Sequence, residues 1–72
     1  MLMMPLSMAD QGSKNTIIKI NGRDSVRNHL SELGFVPGEE VMVVSDNGSN
    51  LIVQIKSSRV AIDAGMANRI MV

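Results

Sequence analysis

Apolar and polar positions alternate along most of this chain in short runs, and only one stretch shows helical spacing. Val26, Leu30 and Leu33 stand at i, i+4 and i+7, which lines them along one face of an α-helix over about 24–33. Asp24 is placed to act as its N-cap by accepting an orphan backbone N–H. No Glu or Gln follows three residues on, so a capping box is not expected. Gly34 comes directly after the last apolar position and predicts a left-handed helix stop. Phe35 and Val36 then pack back on the helix. Pro37 forces Val36 out of the helical region, and Pro37-Gly38 reads as the central pair of a type II turn. Glu39 and Glu40 form a solvated lip to the apolar run Val41 to Val44, a strand covered on more than one side. Leu30 to Val44 is the stretch that organises the rest.

The other runs have a period of two. Thr16 to Ile20 predicts a strand with Thr16, Ile18 and Ile20 on one face and Ile17 and Lys19 on the other. Asn21-Gly22 ends it. Asn47-Gly48 predicts a type I′ hairpin turn, or a somewhat longer loop, before the return strand Leu51 to Lys56, with Leu51, Val53 and Ile55 inward. Ser57-Ser58 predicts a second tight turn into Arg59 to Ile62, with Val60 and Ile62 inward. Asp63 is expected to cap a helical turn at about 63–67, and Asn68 to Val72 closes the chain as a last strand with Ile70 and Val72 inward. Ahead of these elements, Leu6 is the expected anchor of the N-terminal segment, and residues 1–5 read as an extension.

Five short strands in 72 residues are too few for two packed sheets. They can curl into a small barrel that removes its own edges. The expected fold is mostly β: an SH3-like five-stranded barrel with one inserted helix, forming a single domain over 1–72. An open α+β sheet with the helix on one face is the alternative. A chain of this length buries only ~60–65% of its unfolded surface, so stability of about 3–5 kcal/mol is expected.

Composition narrows the function. Seven basic and seven acidic residues cancel, and Phe35 is the only aromatic, so neither the basic excess nor the stacking platform of a nucleic-acid binder is present. The same lack of aromatic walls excludes polyproline recognition. There is no cysteine, hence no disulfide and no thiolate metal site. No apolar run approaches the ~18 residues that span a bilayer, and no Lys or Arg precedes Lys14 to mark a signal peptide. A cytoplasmic location without membrane insertion is the expectation.

Few residues offer chemistry. His29 and Glu32 lie at i, i+3 on the helix and are the weak candidates for a metal, though two ligands do not complete a site. Met1, Met3, Met4 and Met8 offer soft thioethers at irregular spacing and read as apolar packing. Glu39 and Glu40 are strand neighbours that point to opposite faces, so they are no carboxylate pair. No nucleophile has a base and an orienting acid beside it. No catalytic residue and no cofactor are expected, and what remains is an interaction surface at the helix–turn corner.

The pattern resembles the FeoA family, the small cytoplasmic partners of bacterial ferrous iron transport. The resemblance rests on Met4-Pro5-Leu6-Ser7 with Gly12, on Ile17 to Ile20 with Gly22, and on Arg27-Asn28-His29-Leu30. It continues through Glu32-Leu33-Gly34-Phe35-Val36-Pro37-Gly38, Val41-Met42-Val43, Val60-Ala61-Ile62, Ala67 and Ile70-Met71-Val72. The family often carries a second basic residue near the position of His29, and its absence here weakens any positive patch on the helix. The resemblance implies an SH3-like barrel without catalysis of its own, acting on the cytoplasmic region of FeoB, the membrane transporter. The expected partner-binding residues are Leu33, Gly34, Phe35, Val36, Pro37 and Gly38. A similar barrel forms the C-terminal domain of iron-dependent repressors, which makes a metal-responsive domain the alternative, with weak Fe(II) or Zn(II) binding at His29 and carboxylates. Exposed strand edges in so small a barrel leave a homo-oligomer open.

Overall fold

A computed structural model describes residues 3–72. In chain order these form a 3-10 turn (Leu6–Met8), β1 (Lys14–Thr16), β2 (Lys19–Ile20), α1 (Asp24–Glu32), β3 (Glu40–Asp46), β4 (Asn50–Ile55), β5 (Ser58–Asp63), α2 (Ala64–Ala67) and β6 (Ile70–Met71). The strands make a sheet of order β1-β3-β4-β5 and a second sheet β2-β6, antiparallel throughout. The small barrel with one inserted helix is therefore present, and the open sheet with a helix on one face is not.

The expected first strand is divided. Ile17 donates to the Glu39 carbonyl at 2.9 Å, beside β3, while Ile18 donates to the Met71 carbonyl at 2.7 Å, beside β6. One strand thus becomes two, in different sheets. The reason is in the side chains: Ile17 is buried at 1% exposure and Ile18 stands out at 38%.

Burial follows the period-two pattern closely. Leu51, Val53 and Ile55 point in from β4, Val41 and Val43 from β3, and Ile62, Ile70 and Val72 from the last strands. They share one core with Leu6, Ile17, Leu30, Phe35 and Ala67, and among the described residues no polar or charged side chain is buried there. β3 carries a bulge, its register against β4 shifting between Val43 and Ser45, and there Gly12 donates to the Val43 carbonyl at 2.9 Å.

The ends are tied down. Met4 and Val72 exchange backbone bonds of 2.9 and 2.8 Å, and Pro5 bridges Met71. Residues 4 and 5 therefore bridge to the last strand and are no extension, Met3 ahead of them is exposed and in no strand, and Met1 and Leu2 lie outside the described residues. Ser7 Oγ donates to Asn68 Oδ1, fixing the 3-10 turn to the α2 end.

The first hairpin takes the longer of the two expected loops, and the second differs from expectation. Only Gly48 of the Asn47-Gly48 pair has positive φ, at 92°, so the type I′ turn is not formed. A three-residue loop replaces it, held by Asp46 Oδ1 accepting from Gly48 N and by Asn47 Oδ1 accepting from Ser49 N and Asn50 N. The second turn is Lys56-Ser57, one residue earlier than expected, because Ser58 pairs with Ile55 and opens β5. Lys56 takes φ 54°, the one non-glycine residue with positive φ among those described. An L-residue there costs roughly 1–2 kcal/mol. Asp63 caps α2 as expected, its Oδ1 accepting from Met66 N at 2.7 Å.

Replacing Lys56 by Gly is expected to raise stability by about 0.5–1 kcal/mol, since the relief of left-handed strain exceeds the extra chain entropy glycine loses. A urea midpoint that falls instead would show the turn to be unstrained.

Candidate docking lip

The helix–turn corner at 33–38 is built almost wholly from backbone bonds. α1 ends in a Schellman arrangement: Gly34 N donates to the Ser31 carbonyl at 3.0 Å and Phe35 N to the Leu30 carbonyl at 2.9 Å. Gly34 supplies the required φ of 104°. A Cβ there would meet Ile55 Cδ1 only at 3.8 Å, so the backbone angle and not space demands glycine. The motif's apolar partners are Leu30 and Phe35, each 0% exposed. Next, Glu39 N donates to the Val36 carbonyl at 3.1 Å across Pro37-Gly38, and Gly38 has φ 92°, as a type II turn requires. Gly38 N also donates to the Ile17 carbonyl at 2.8 Å, which ties the corner to the point where the first strand divides.

The entry to α1 differs from expectation. Arg23 is the N-cap and makes no side-chain capping bond, whereas Asp24 is the first helical residue. Its carboxylate is taken by Arg27 Nη2 at 2.5 Å, one turn along, an exposed pair of little energetic weight.

The six lip residues are not equivalent. Phe35 is fully buried and no partner touches it without unfolding the domain. Truncating a buried Phe costs about 3–5 kcal/mol, as much as the whole stability expected for this length. It therefore cannot serve as a surface anchor, and this corrects its place among the binding residues. Val36 and Gly34 are half-buried, while Pro37 and Gly38 are exposed. Leu33 is 37% exposed despite standing on the helix stripe, because it is the C-cap residue with φ −80° and ψ −7° and ends the stripe at the corner. Ile18, at 38%, is a second exposed apolar residue, next to the Ile17 that Gly38 holds. Sequence reasoning missed it. The signal was the Ile17-Ile18 pair, since two neighbours in a strand cannot both face one core.

His29 and Glu32 are exposed on α1, and neither side chain makes a hydrogen bond or ion pair. Among the described residues no three His, Cys, Asp or Glu stand close enough to share a metal ion. A shallow groove of about 330 Å³ runs beside the lip over β1, β3 and β4. Lys14, Lys56, Glu39 and Glu40 set two charges of each sign around it, with Met42 and Gln54 on its floor, so it favours neither anions nor cations. No helix among the described residues is long and apolar enough to cross a membrane.

The fold and corner together define a small SH3-like barrel whose distinctive feature is a glycine-stopped helix joined to a Pro-Gly turn. The FeoA domain family matches residues 4–72, and the chain belongs to that family. It is 30% identical over 70 residues to a Methanocaldococcus jannaschii protein provisionally named Fe(2+) transport protein A, covering 97% of this chain and 85% of that one. It superposes with a TM-score of 0.90 on the crystal structure of an iron uptake regulatory protein, FeoA, at 30% identity, covering 97% and 95% of the two chains. The zinc-complexed FeoA of Stenotrophomonas maltophilia, described as an SH3 domain protein, matches at 32% identity and TM-score 0.82, covering 93% and 86%. In fold alone, the barrel also matches 40% of a manganese-dependent transcriptional repressor at 18% identity and TM-score 0.85.

Gly34→Ala is expected to cost about 1–2 kcal/mol, because the left-handed angle and not a clash penalises the methyl. A thermal midpoint unchanged by this substitution would mean that the Schellman geometry is not the stop.

Proposed function

We propose that this chain is a non-catalytic accessory protein of ferrous iron uptake. It acts as one domain in the cytoplasm and docks on the cytoplasmic part of a FeoB-type transporter. The observation that carries this reading is the lip itself: an apolar corner, Leu33 with Pro37 and Gly38, kept exposed by a backbone that the Gly34, Phe35, Gly38 and Glu39 N–H bonds hold in place. A surface ordered before contact loses little conformational entropy on binding. Family membership supplies the transport context, and the absence of any nucleophile–base or carboxylate pair in the candidate site favours binding over catalysis.

The test is a titration of the chain against the isolated cytoplasmic region of the transporter, with and without GTP. Saturable binding is expected, and Leu33→Asp should weaken it at least ~10-fold, the effect of losing one interface anchor. Leu33 is exposed, so the variant keeps its far-UV circular dichroism. Full-strength binding by the folded variant would move the docking surface elsewhere.

A metal-responsive role is the second reading. It is favoured by the free, exposed side chains of His29 and Glu32 one turn apart on α1 and by the zinc in the Stenotrophomonas maltophilia relative. One chain offers two ligands there, so an ion would be shared between molecules. Anaerobic calorimetry with Fe(II) and with Zn(II) should show heat that His29→Ala removes. Titrations that give only dilution heat would eliminate this reading.

A further inference from the structure

β5 ends the four-stranded sheet, paired on one side only, to β4. Ile55 and Ser58 flank a two-residue turn and so form a hydrogen-bonded pair. Counting from it, Val60 and Ile62 turn their backbone groups toward β4, and Arg59 and Ala61 turn theirs away. Among the described residues no bridge and no further hydrogen bond reaches the backbone of Arg59 or Ala61. Both residues are exposed. Three of the usual protections of an edge are missing here: β5 holds no proline or lysine, and its register against β4 runs without a bulge over six pairs, so its only charges are the opposite pair Arg59 and Asp63. The opposite edge, β1, has only three residues.

We propose that this edge binds a second copy of the chain, β5 pairing antiparallel with the partner's β5 about a two-fold axis at Ala61. An axis there sets Arg59 opposite the partner's Asp63, and by symmetry Asp63 opposite the partner's Arg59. Opposite charges facing across strands are favourable, and like charges are not. Moving the axis to Arg59 or to Asp63 would set like charges face to face, and moving it to Val60 or Ile62 would set Arg59 or Asp63 opposite an alanine and lose the charge pairs, so the charges favour the axis at Ala61.

The side chains are free to do this. Arg59 Nε donates to Gln54 Oε1 at 3.1 Å, which holds the side chain in the cross-strand row and leaves its terminal nitrogens unclaimed. Asp63 spends Oδ1 on the α2 cap and keeps Oδ2. Ala61, beside half-buried Ile52 on β4, brings no bulk to the axis and extends an apolar row through it. The result is one continuous eight-stranded sheet across two copies, a closed isologous dimer.

The experiment uses the full chain in sedimentation and in amide hydrogen exchange from micromolar to millimolar concentration. A monomer–dimer equilibrium is expected, with protection of the Arg59 and Ala61 amides rising with concentration and that of Val60 and Ile62 unchanged. Ala61→Pro should abolish dimerisation, since proline is tolerated on an open edge but removes the central donor. Arg59→Glu should weaken it at least ~10-fold through two like-charge pairs. Neither substitution touches the core or the β4 ladder. A chain monomeric throughout, or a dimer indifferent to both variants, would overturn the proposal. So would an edge that protects its amides only when the transporter region is added, which would assign it to a heterologous strand.

Discussion

Between Ile17 and Ile18 the backbone changes partners, and the barrel depends on that exchange. Ile17 bonds to the exit of the Pro-Gly turn, donating to the Glu39 carbonyl and accepting from the Gly38 N–H, while Ile18 donates to the Met71 carbonyl. Three distant segments meet within two residues. The first strand can change sheets only because the turn at 36–39 offers a carbonyl and an N–H at that point. The turn can do so only because α1 has stopped at Gly34 and released the chain in the right direction. A helix stop, a tight turn and a sheet-to-sheet crossing are thus one construction, and Phe35, the only aromatic, fills the space beneath it. Local backbone chemistry here decides global closure.

The same dependence explains which features could be read from the residues. Gly34, Pro37 and Gly38 announce themselves because each meets a backbone demand that few other residues meet. The inward sets Leu51, Val53, Ile55 and Val41, Val43 were legible because burial on one sheet face imposes a period of two. Asp63 was legible as a cap and Asp24 was not: Asp63 stands just before α2, whereas Asp24 is already the first residue of α1 and its carboxylate goes to Arg27 one turn along. The turn at Lys56 was invisible because lysine carries no positive-φ signal, and its conformation follows from the register that Ile55 and Ser58 fix. Phe35 was placed at the correct corner but on the wrong side of it. Sequence spacing locates a residue along the chain, whereas the capping geometry that turns Phe35 inward and leaves Leu33 outside is set in three dimensions.

The alternative of a metal-responsive domain and the reading as a docking module differ in what they ask of this surface. A resident metal site needs three or four donors fixed by a second set of hydrogen bonds. His29 and Glu32 are exposed, and among the described residues no third His, Cys, Asp or Glu joins them. A docking surface asks for exposed apolar area on an ordered backbone, and the lip exposes Leu33 and Pro37 beside the hydrogen-bonded Gly34 and Gly38.

Net charge does not steer partners to this chain. Seven acids balance seven bases, the groove beside the lip carries both signs, and no charged side chain is buried among the described residues. Long-range steering of the kind that speeds association of oppositely charged proteins is therefore weak. On the readings proposed above, selectivity comes from short-range features, namely the shape of a backbone-locked corner and the hydrogen-bonding register of an open strand. Both are properties of main-chain geometry with a few side chains marking the position, Leu33 and Pro37 at one and Arg59 and Asp63 at the other. A barrel of this kind can change many surface residues and keep its contacts, provided that the glycines that set the corner and the alternation that sets the strand are retained.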